Sequence, residues 1–240
     1  MTDRTLDGAA TFIILSYARP QNIQPILEAI LQARSCARIV LSNNNPAIDI
    51  SDHVTLTADR LTVLQQQERW PAVKRFCLAR EEPAENFICI DDALFLTAVQ
   101  IDGLAARLLE TPAVPHGLWG ANVTFRRDPQ GRESVLLEGG IHNHSGPVRI
   151  INRAYAFTAG HVRRFFELLA ALGIDDPRDL GPADDILLSH SGIGLPLCHD
   201  LGPLRDCPTT DQPGIALWKE DGFFEKRLER LIQLRRLMSG

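Results

Sequence analysis

The first fifty residues alternate between apolar runs and a helical pattern, and this alternation constrains the fold more than any other feature of the chain. Residues 11–16 and 38–42 are short, mainly apolar runs that predict buried strands. Between them, apolar residues recur at helical spacing over 23–31, after an Asn22 that can cap a helix. A strand, a helix and a second strand form a right-handed crossover between parallel strands. We therefore expect an α/β protein with a mixed, mostly parallel central sheet flanked by helices.

Size, composition and charge fit a globular protein that works on small molecules. The 240 residues are 45% hydrophobic and 23% charged, and no internal boundary is visible. A net charge of −5 gives no reason to expect a nucleic-acid partner. No apolar run is long enough to span a bilayer. Residues 1–8 carry acids where a signal peptide would be positive, which predicts a cytoplasmic location.

An apolar run over residues 87–90 ends in two carboxylates, Asp91 and Asp92. Such a run predicts a core strand, and open α/β sheets bind ligands at the carboxyl ends of their strands. Because like charges repel, this pair does not bind a bare phosphate. It can hold a sugar hydroxyl, or a divalent cation that then holds phosphate oxygens. The pair therefore favours an enzyme that uses nucleotide sugars, although two acids after a strand can also cap the next turn.

Two further groups of polar residues leave alternatives open. Asp184 and Asp185 follow a proline, so they can cap a helix, or Asp185 can orient an acceptor hydroxyl or act as a base. The glycine-rich segment 138–147 predicts a loop near a ligand. Its His142 and His144 would form a metal clip if the segment were a strand; in a loop they would face solvent or the acceptor.

Basic residues are expected around the site, because a departing nucleoside diphosphate carries concentrated negative charge. Arg19, Arg69, Lys74 and Arg75 can form such a rim, although each can equally be a solvated surface charge. The tail over residues 223–238 mixes leucines with basic residues. It predicts a helix that packs its leucines on the domain, and the same pattern would suit peripheral contact with a membrane.

Segments spread in order along the chain resemble the exostosin-like family of glycosyltransferase A (GT-A) enzymes. They are residues 12–20, 40–44, 67–76, 90–93, 183–186 and 214–218, the last followed by Arg227. The resemblance implies one Rossmann-like GT-A domain over residues 1–240. It implies a nucleotide-binding half over about 10–100, and an acceptor-binding half with a C-terminal helix over about 115–240.

The implied activity is polysaccharide biosynthesis by a hexosyl- or N-acetylhexosaminyltransferase. It would transfer a sugar from a UDP-linked donor to a glycan or glycolipid, with retention at the anomeric carbon. The implied catalytic residues are Asp185 and Arg227, and the implied acceptor residues are His142, His144 and Asp184. The implied donor residues are Ser16, Tyr17, Arg19, Asn43, Asn44, Arg69, Lys74, Asp91 and Asp92.

One departure from the family concerns the metal ion. The third Asp of the family motif, which contacts manganese, is replaced by Ala93, and a methyl group cannot coordinate a cation. Mn²⁺ or Mg²⁺ would then rest on Asp92, or arginine and lysine would neutralise the diphosphate without a metal. Two other function classes stay open: a glycoside hydrolase that pairs Asp91 or Asp92 with Asp185, and a non-catalytic module that binds nucleotide or sugar.

Overall fold

The computed structural model describes residues 5–131 and 133–239, and strands and helices alternate through most of them. The strands are β1 (Ala10–Ser16), β2 (Cys36–Asn43), β3 (Leu61–Gln65), β4 (Asn86–Ile90), β5 (Leu94–Phe95), β6 (His116–Arg127), β7 (Glu133–Ile141), β8 (Gly146–Pro147), β9 (Ile150–Thr158), β10 (Leu197–Cys198) and β11 (Arg205–Asp206). The helices are α1 (Ile23–Gln32), α2 (Lys74–Glu81), α3 (Ala98–Glu110), α4 (Ala159–Ala171), α5 (Asp184–Ser189) and α6 (Phe223–Ser239).

A mixed central sheet runs through both halves of the chain, in the order β3-β2-β1-β4-β9-β6-β10-β8, with β7 beside β6. The strands β3, β2, β1 and β4 are parallel, as the opening strand–helix–strand pattern predicts. The second half begins where β9 pairs antiparallel with both β4 and β6. The predicted α/β architecture is confirmed, and its parallel pairs are those within β3-β2-β1-β4 and the short pair β6–β10.

Helices cover both faces of the sheet because successive side chains of its inner strands point in opposite directions. Within β1, Phe12 and Ile14 face the layer that contains α1 and α3. Ile13, between them, faces the layer that contains α2, α4, α5 and α6. All three are at most 1% exposed, which is the burial expected of an inner strand with helices on both sides.

Two local expectations differ from the structure. Asn22 does not cap α1; its side-chain amide instead donates to the backbone oxygen of Asp92 at 2.8 Å. The glycine-rich segment is a loop only in part, because residues 138–141 belong to β7 and pair with β6. The sequence also predicts a polar turn over residues 126–132, of which Arg132 lies outside the described residues.

The C-terminal helix α6 packs on the domain, as one of its two predicted interpretations requires. Leu231 and Leu234 are 2% and 0% exposed and join the core. Arg227 is also buried, so it does not belong to the solvated face of the helix. No helix within the described residues is both long and apolar enough to cross a membrane.

Candidate functional site

A cavity of about 560 Å³ lies at the carboxyl ends of β1 and β4. The turn after β4, the strands β6 and β9, the start of α5 and the segment leading into α6 form its walls. Its charged lining consists of Arg19, Arg75, Arg153, Arg227, Asp91, Asp92, Asp184, Asp185, Asp206 and Asp211. The predicted crevice above the strand ends is therefore present, and it contains both acidic pairs.

The acidic turn after β4 is held by two arginines from different parts of the chain. Asp91 accepts a hydrogen bond from Arg75 at 2.9 Å, and Asp92 accepts one from Arg19 at the same distance. The backbone N–H of Asp91 donates to the carbonyl of Arg153 at 2.7 Å. Burial raises the pKa of Asp92, and the nearby Arg19 opposes that rise. The two carboxylates thus line the cavity, Asp92 largely buried and Asp91 partly exposed.

The side of the cavity formed by Arg75, Tyr155, Asp184, Asp185 and Arg227, here called the inner wall, is almost fully buried. Both carboxylate oxygens of Asp185 accept from the guanidinium of Arg227, at 2.7 and 2.9 Å. The two side chains are 10% and 8% exposed, and Arg227 also donates to a backbone carbonyl of the linker before α5. This fork-to-fork geometry is the strongest form of arginine–carboxylate pairing.

Asp184 has a weaker partner than Asp185. Its Oδ2 lies 3.6 Å from Nε of Arg75, which also donates to the hydroxyl of Tyr155 and to Asp91. Burial raises the pKa of Asp184 to about 6; Arg75 opposes the rise, while Asp185 and Asp91 add to it. Asp184 can therefore gain or lose a proton near neutral pH, inside the cavity.

A second part of the lining, here called the outer wall, consists of Trp119, Arg153, Asp206 and Thr210. Arg153 has a left-handed backbone with φ of 64°, which is uncommon for a residue other than glycine. Its guanidinium donates to Asp206 and lies 4.5 Å from the ring centroid of Trp119. The ring of His142 stacks on that of Trp119, with 4.2 Å between centroids.

Comparisons with known proteins bear on the fold. No family model matches the sequence, and no curated protein matches it significantly. CMP:2-keto-3-deoxy-manno-octonic acid synthetase complexed with CTP is 13% identical, with a TM-score of 0.53, over 95% of this chain and 99% of that one. GalNAc-T7 with UDP, GalNAc and Mn²⁺ is 10% identical, with a TM-score of 0.56, over 95% of this chain. The chain spans 48% of that GalNAc-T7 chain.

The chain has a GT-A-like fold. At these identities the two neighbours show the fold alone, and they do not show the exostosin-like family. The predicted fold class is confirmed, with its central sheet flanked by helices. The substrate and the reaction remain open at this point.

The structure brings seven of the predicted site residues into the cavity lining. They are Arg19, Arg75, Asp91, Asp92, Asp184, Asp185 and Arg227. Of the residues outside the lining, His142 and His144 are exposed, and His142 contacts the lining residues Trp119 and Gly140. Two predicted carboxylate pairs and three predicted arginines thus line one cavity, although they are far apart in the sequence.

Most predicted donor residues near β1, β2 and α2 have partners within the protein. The amide of Asn43 donates to the carbonyls of Asn45 and Ile48, at 3.1 and 2.7 Å, and so fixes the turn after β2. The amide of Asn44 donates to the carbonyl of Trp70, Arg69 lies over the ring of Tyr17, and Lys74 lies over the ring of Trp70. The hydroxyl of Ser16 is buried without a hydrogen-bond partner among the described residues. The assignment of these side chains to the nucleotide stays a prediction.

Sequence reasoning did not single out Arg153 or its partners Trp119 and Asp206. One signal was present: Arg153 interrupts the apolar strand pattern of residues 150–158. A charged residue in such a strand needs a partner when it is buried. The partner could not be found from the sequence, because Asp206 lies 53 positions away.

The described side chains at the acidic turn do not by themselves form a complete site for a divalent cation. Mn²⁺ and Mg²⁺ need several converging oxygen or nitrogen ligands, some of which a bound phosphate can supply. In the described part of the chain, no three His, Cys, Asp or Glu side chains come together to hold a metal ion. Asp92 is bound to Arg19, and the methyl group of Ala93 lines the cavity beside it. The cations that the cavity offers to a phosphate are guanidinium groups.

Proposed function

We propose that this protein is a glycosyltransferase, which transfers a sugar from a nucleotide-diphosphate donor to a glycan or glycolipid acceptor. The observation that carries the proposal is the charge arrangement of the cavity, where four arginines and six aspartates line the space at the ends of β1 and β4. Carboxylates accept hydrogen bonds from sugar hydroxyls, and guanidinium groups stabilise a departing diphosphate. Both neighbouring structures are complexes with a nucleotide, CTP in one and UDP in the other, which supports a nucleotide donor.

The proposed reaction depends on position and charge more than on a reactive side chain. Asp91 and Asp92 would bind hydroxyls of the donor sugar or its ribose, at the turn held by Arg75 and Arg19. Asp184 would accept a hydrogen bond from the acceptor hydroxyl and can hold its proton, because its pKa is about 6. The same proposal includes four further points: membership of the exostosin-like family, a UDP-linked donor, retention of configuration, and a division into donor and acceptor halves.

The proposal is tested by ligand-dependent thermal stability and by transfer. The wild-type protein is incubated with UDP, GDP, CTP and UDP-linked sugars, each with Mn²⁺ and with EDTA, and the melting temperature Tm is measured. A ligand that binds the folded state raises Tm by mass action. We expect UDP and its sugars to raise Tm by several degrees, with sugar transfer to a glycan acceptor. If no nucleotide raises Tm, the proposed function is wrong.

Asp92→Asn sharpens the test because it keeps the shape of the side chain and removes its charge. We expect transfer to fall at least a hundredfold while the protein stays folded. Tm falls as well, because Arg19 keeps its charge beside a neutral partner in a buried pair. The control is Asp59→Asn, the same substitution at an exposed residue outside the cavity lining, which should leave transfer unchanged. Wild-type turnover in Asp92→Asn would remove Asp92 from the chemistry.

Two alternatives give different results in the same assays. A glycoside hydrolase would cleave a glycan without any nucleotide, and the raised pKa of Asp184 is the feature that suits the acid of such an enzyme. A binding module would show the Tm shift with UDP but neither transfer nor donor hydrolysis.

A further inference from the structure

The four hydrogen-bonded arginine–aspartate pairs in the described cavity lining differ in how readily their carboxylate can be replaced. In the pair Arg153–Asp206, the two side chains are 17% and 38% exposed. The corresponding values are 9% and 14% for Arg19–Asp92, 9% and 33% for Arg75–Asp91, and 8% and 10% for Arg227–Asp185. Breaking a buried pair leaves a charge without solvent, whereas an exposed carboxylate can turn into water at little cost. Asp206 is therefore the carboxylate that a competing anion displaces most easily.

The guanidinium of Arg153 keeps its position without Asp206, because other contacts hold it. It lies on the ring of Trp119 and donates to the carbonyl of Ala93 at 3.3 Å. The left-handed backbone of Arg153 directs its carbonyl to the N–H of Asp91 at the same time. An uncommon backbone conformation that is held by its surroundings is frequent at ligand sites. The guanidinium is thus pre-positioned beside the acidic turn.

A diphosphate in this cavity needs a cation, and the acidic turn does not provide converging ligands for a metal ion. Arginine binds phosphate through two parallel N–H groups, as it binds a carboxylate. Asp206 lies on the two-residue strand β11, where it occupies the place that a phosphate oxygen would take. We propose that Arg153 binds the diphosphate of the donor, and that Asp206 holds this guanidinium until the diphosphate displaces it. The inference rests on the proposed function.

Asp206→Asn tests the displacement, because weakening the competitor should strengthen the ligand. We measure the dissociation constants of UDP and of inorganic pyrophosphate by titration calorimetry in EDTA. We expect Asp206→Asn to bind both about tenfold more tightly than the wild type, a change of about 1.4 kcal/mol. The matched control is Asp211→Asn, which removes the same charge from the same lining. Asp211 forms no ion pair with Arg153 among the described residues, so its substitution measures the effect of lost charge alone, and we expect a clearly smaller gain than in Asp206→Asn.

Arg153→Lys tests whether the tighter ligand binding of Asp206→Asn depends on the guanidinium of Arg153. We expect it to weaken UDP and pyrophosphate binding at least tenfold, since lysine has no bidentate fork. In the double variant with Asp206→Asn, the gain should disappear, because no guanidinium is released. If Arg153 acts only in folding, Arg153→Lys lowers Tm. Asp206→Asn then tightens UDP binding by the same factor with or without Arg153→Lys.

The outcomes distinguish a failure of this inference from a failure of the proposed function on which it rests. Equal gains in Asp206→Asn and Asp211→Asn would overturn the inference, because they would reflect overall charge and not the release of Arg153. Wild-type binding of UDP that requires Mn²⁺ would also overturn it, while leaving the proposed function standing. If pyrophosphate binding follows the predicted pattern and no nucleotide binds, the anion site at Arg153 is supported and the proposed transferase function is wrong. If neither ligand binds any variant, both proposals are wrong.

Discussion

The inner and outer walls of the cavity use the same chemistry, arginine against aspartate, in different surroundings. In the inner wall, Arg227 and Asp185 are buried and bonded at both carboxylate oxygens. In the outer wall, Asp206 is partly exposed, and Arg153 is also held by an aromatic ring. Breaking a buried pair is costly, because it leaves an uncompensated charge without solvent. An exposed carboxylate can instead be replaced by water or by another anion. The comparison predicts that substitutions in the inner wall affect stability and those in the outer wall affect binding.

The largest effect is expected when the buried pair of the inner wall is broken. Arg227→Leu keeps an apolar side chain in α6 but leaves the carboxylate of Asp185 buried without its partner. We expect the free energy of unfolding to fall by about 3–5 kcal/mol, the usual cost of an uncompensated buried charge. Urea denaturation measures it.

The matched control is Arg230→Leu on the same helix. Arg230 donates to the carbonyl of Asp179 at an exposed site, so we expect a change within about 0.5 kcal/mol. If Arg227→Leu is as mild as Arg230→Leu, the inner wall is not a stabilising element, and the contrast between the walls fails.

A second effect, of intermediate size, depends on pH and on Asp184. Its pKa is raised to about 6 in the folded protein from 3.8, so the folded state binds more protons than the unfolded state between these values. The stability that this group contributes is therefore present below about pH 4 and is lost as pH rises through 6. Asp184→Asn removes this loss.

We therefore expect the stability of Asp184→Asn relative to wild type to rise by about 2–3 kcal/mol from pH 4 to pH 7, from a shift of about two pKa units. Thermal unfolding of both proteins across this range measures the difference. The control is Asp176→Asn: Asp176 is an exposed partner of Arg178, and its pKa is lowered by that hydrogen bond. Its substitution should give a small trend of the opposite sign. A pH-independent difference for Asp184→Asn would show that Asp184 is already ionised at pH 4.

Most of the fold could be predicted from the sequence because its signals are local. The runs that became β1 and β4 are apolar over most of their length, and a buried strand between two helical layers favours that pattern. The segment 138–141 was misjudged because glycines are typical of loops. Its strand character comes from pairing with β6, in which Glu138 lies opposite Asn122. No pattern within the segment indicates such a partner.

The candidate site was predictable where a side chain follows a strand or begins a helix. Asp91 and Asp92 were found from their place after an apolar run, and both line the cavity. The pairings could not be predicted, because Asp185 and its partner are 42 residues apart and Asp92 and its partner are 73 apart. The exact partners depend on helix packing and on the order of strands, which one sequence does not specify.

The smallest expected effect concerns the backbone of Arg153 and separates strain from side-chain contacts. With φ of 64°, this residue has a conformation that glycine adopts freely and that alanine does not. Arg153→Gly and Arg153→Ala lose the same guanidinium, so both should lose UDP binding to the same extent. Their stabilities should differ, with the glycine variant about 1 kcal/mol more stable in urea denaturation.

Relief of strain should offset most of the lost contacts in Arg153→Gly and leave it within about 1 kcal/mol of the wild type. An alanine variant as stable as the glycine variant would mean that the left-handed backbone at Arg153 costs nothing, and that the outer wall is not a strained, pre-positioned site.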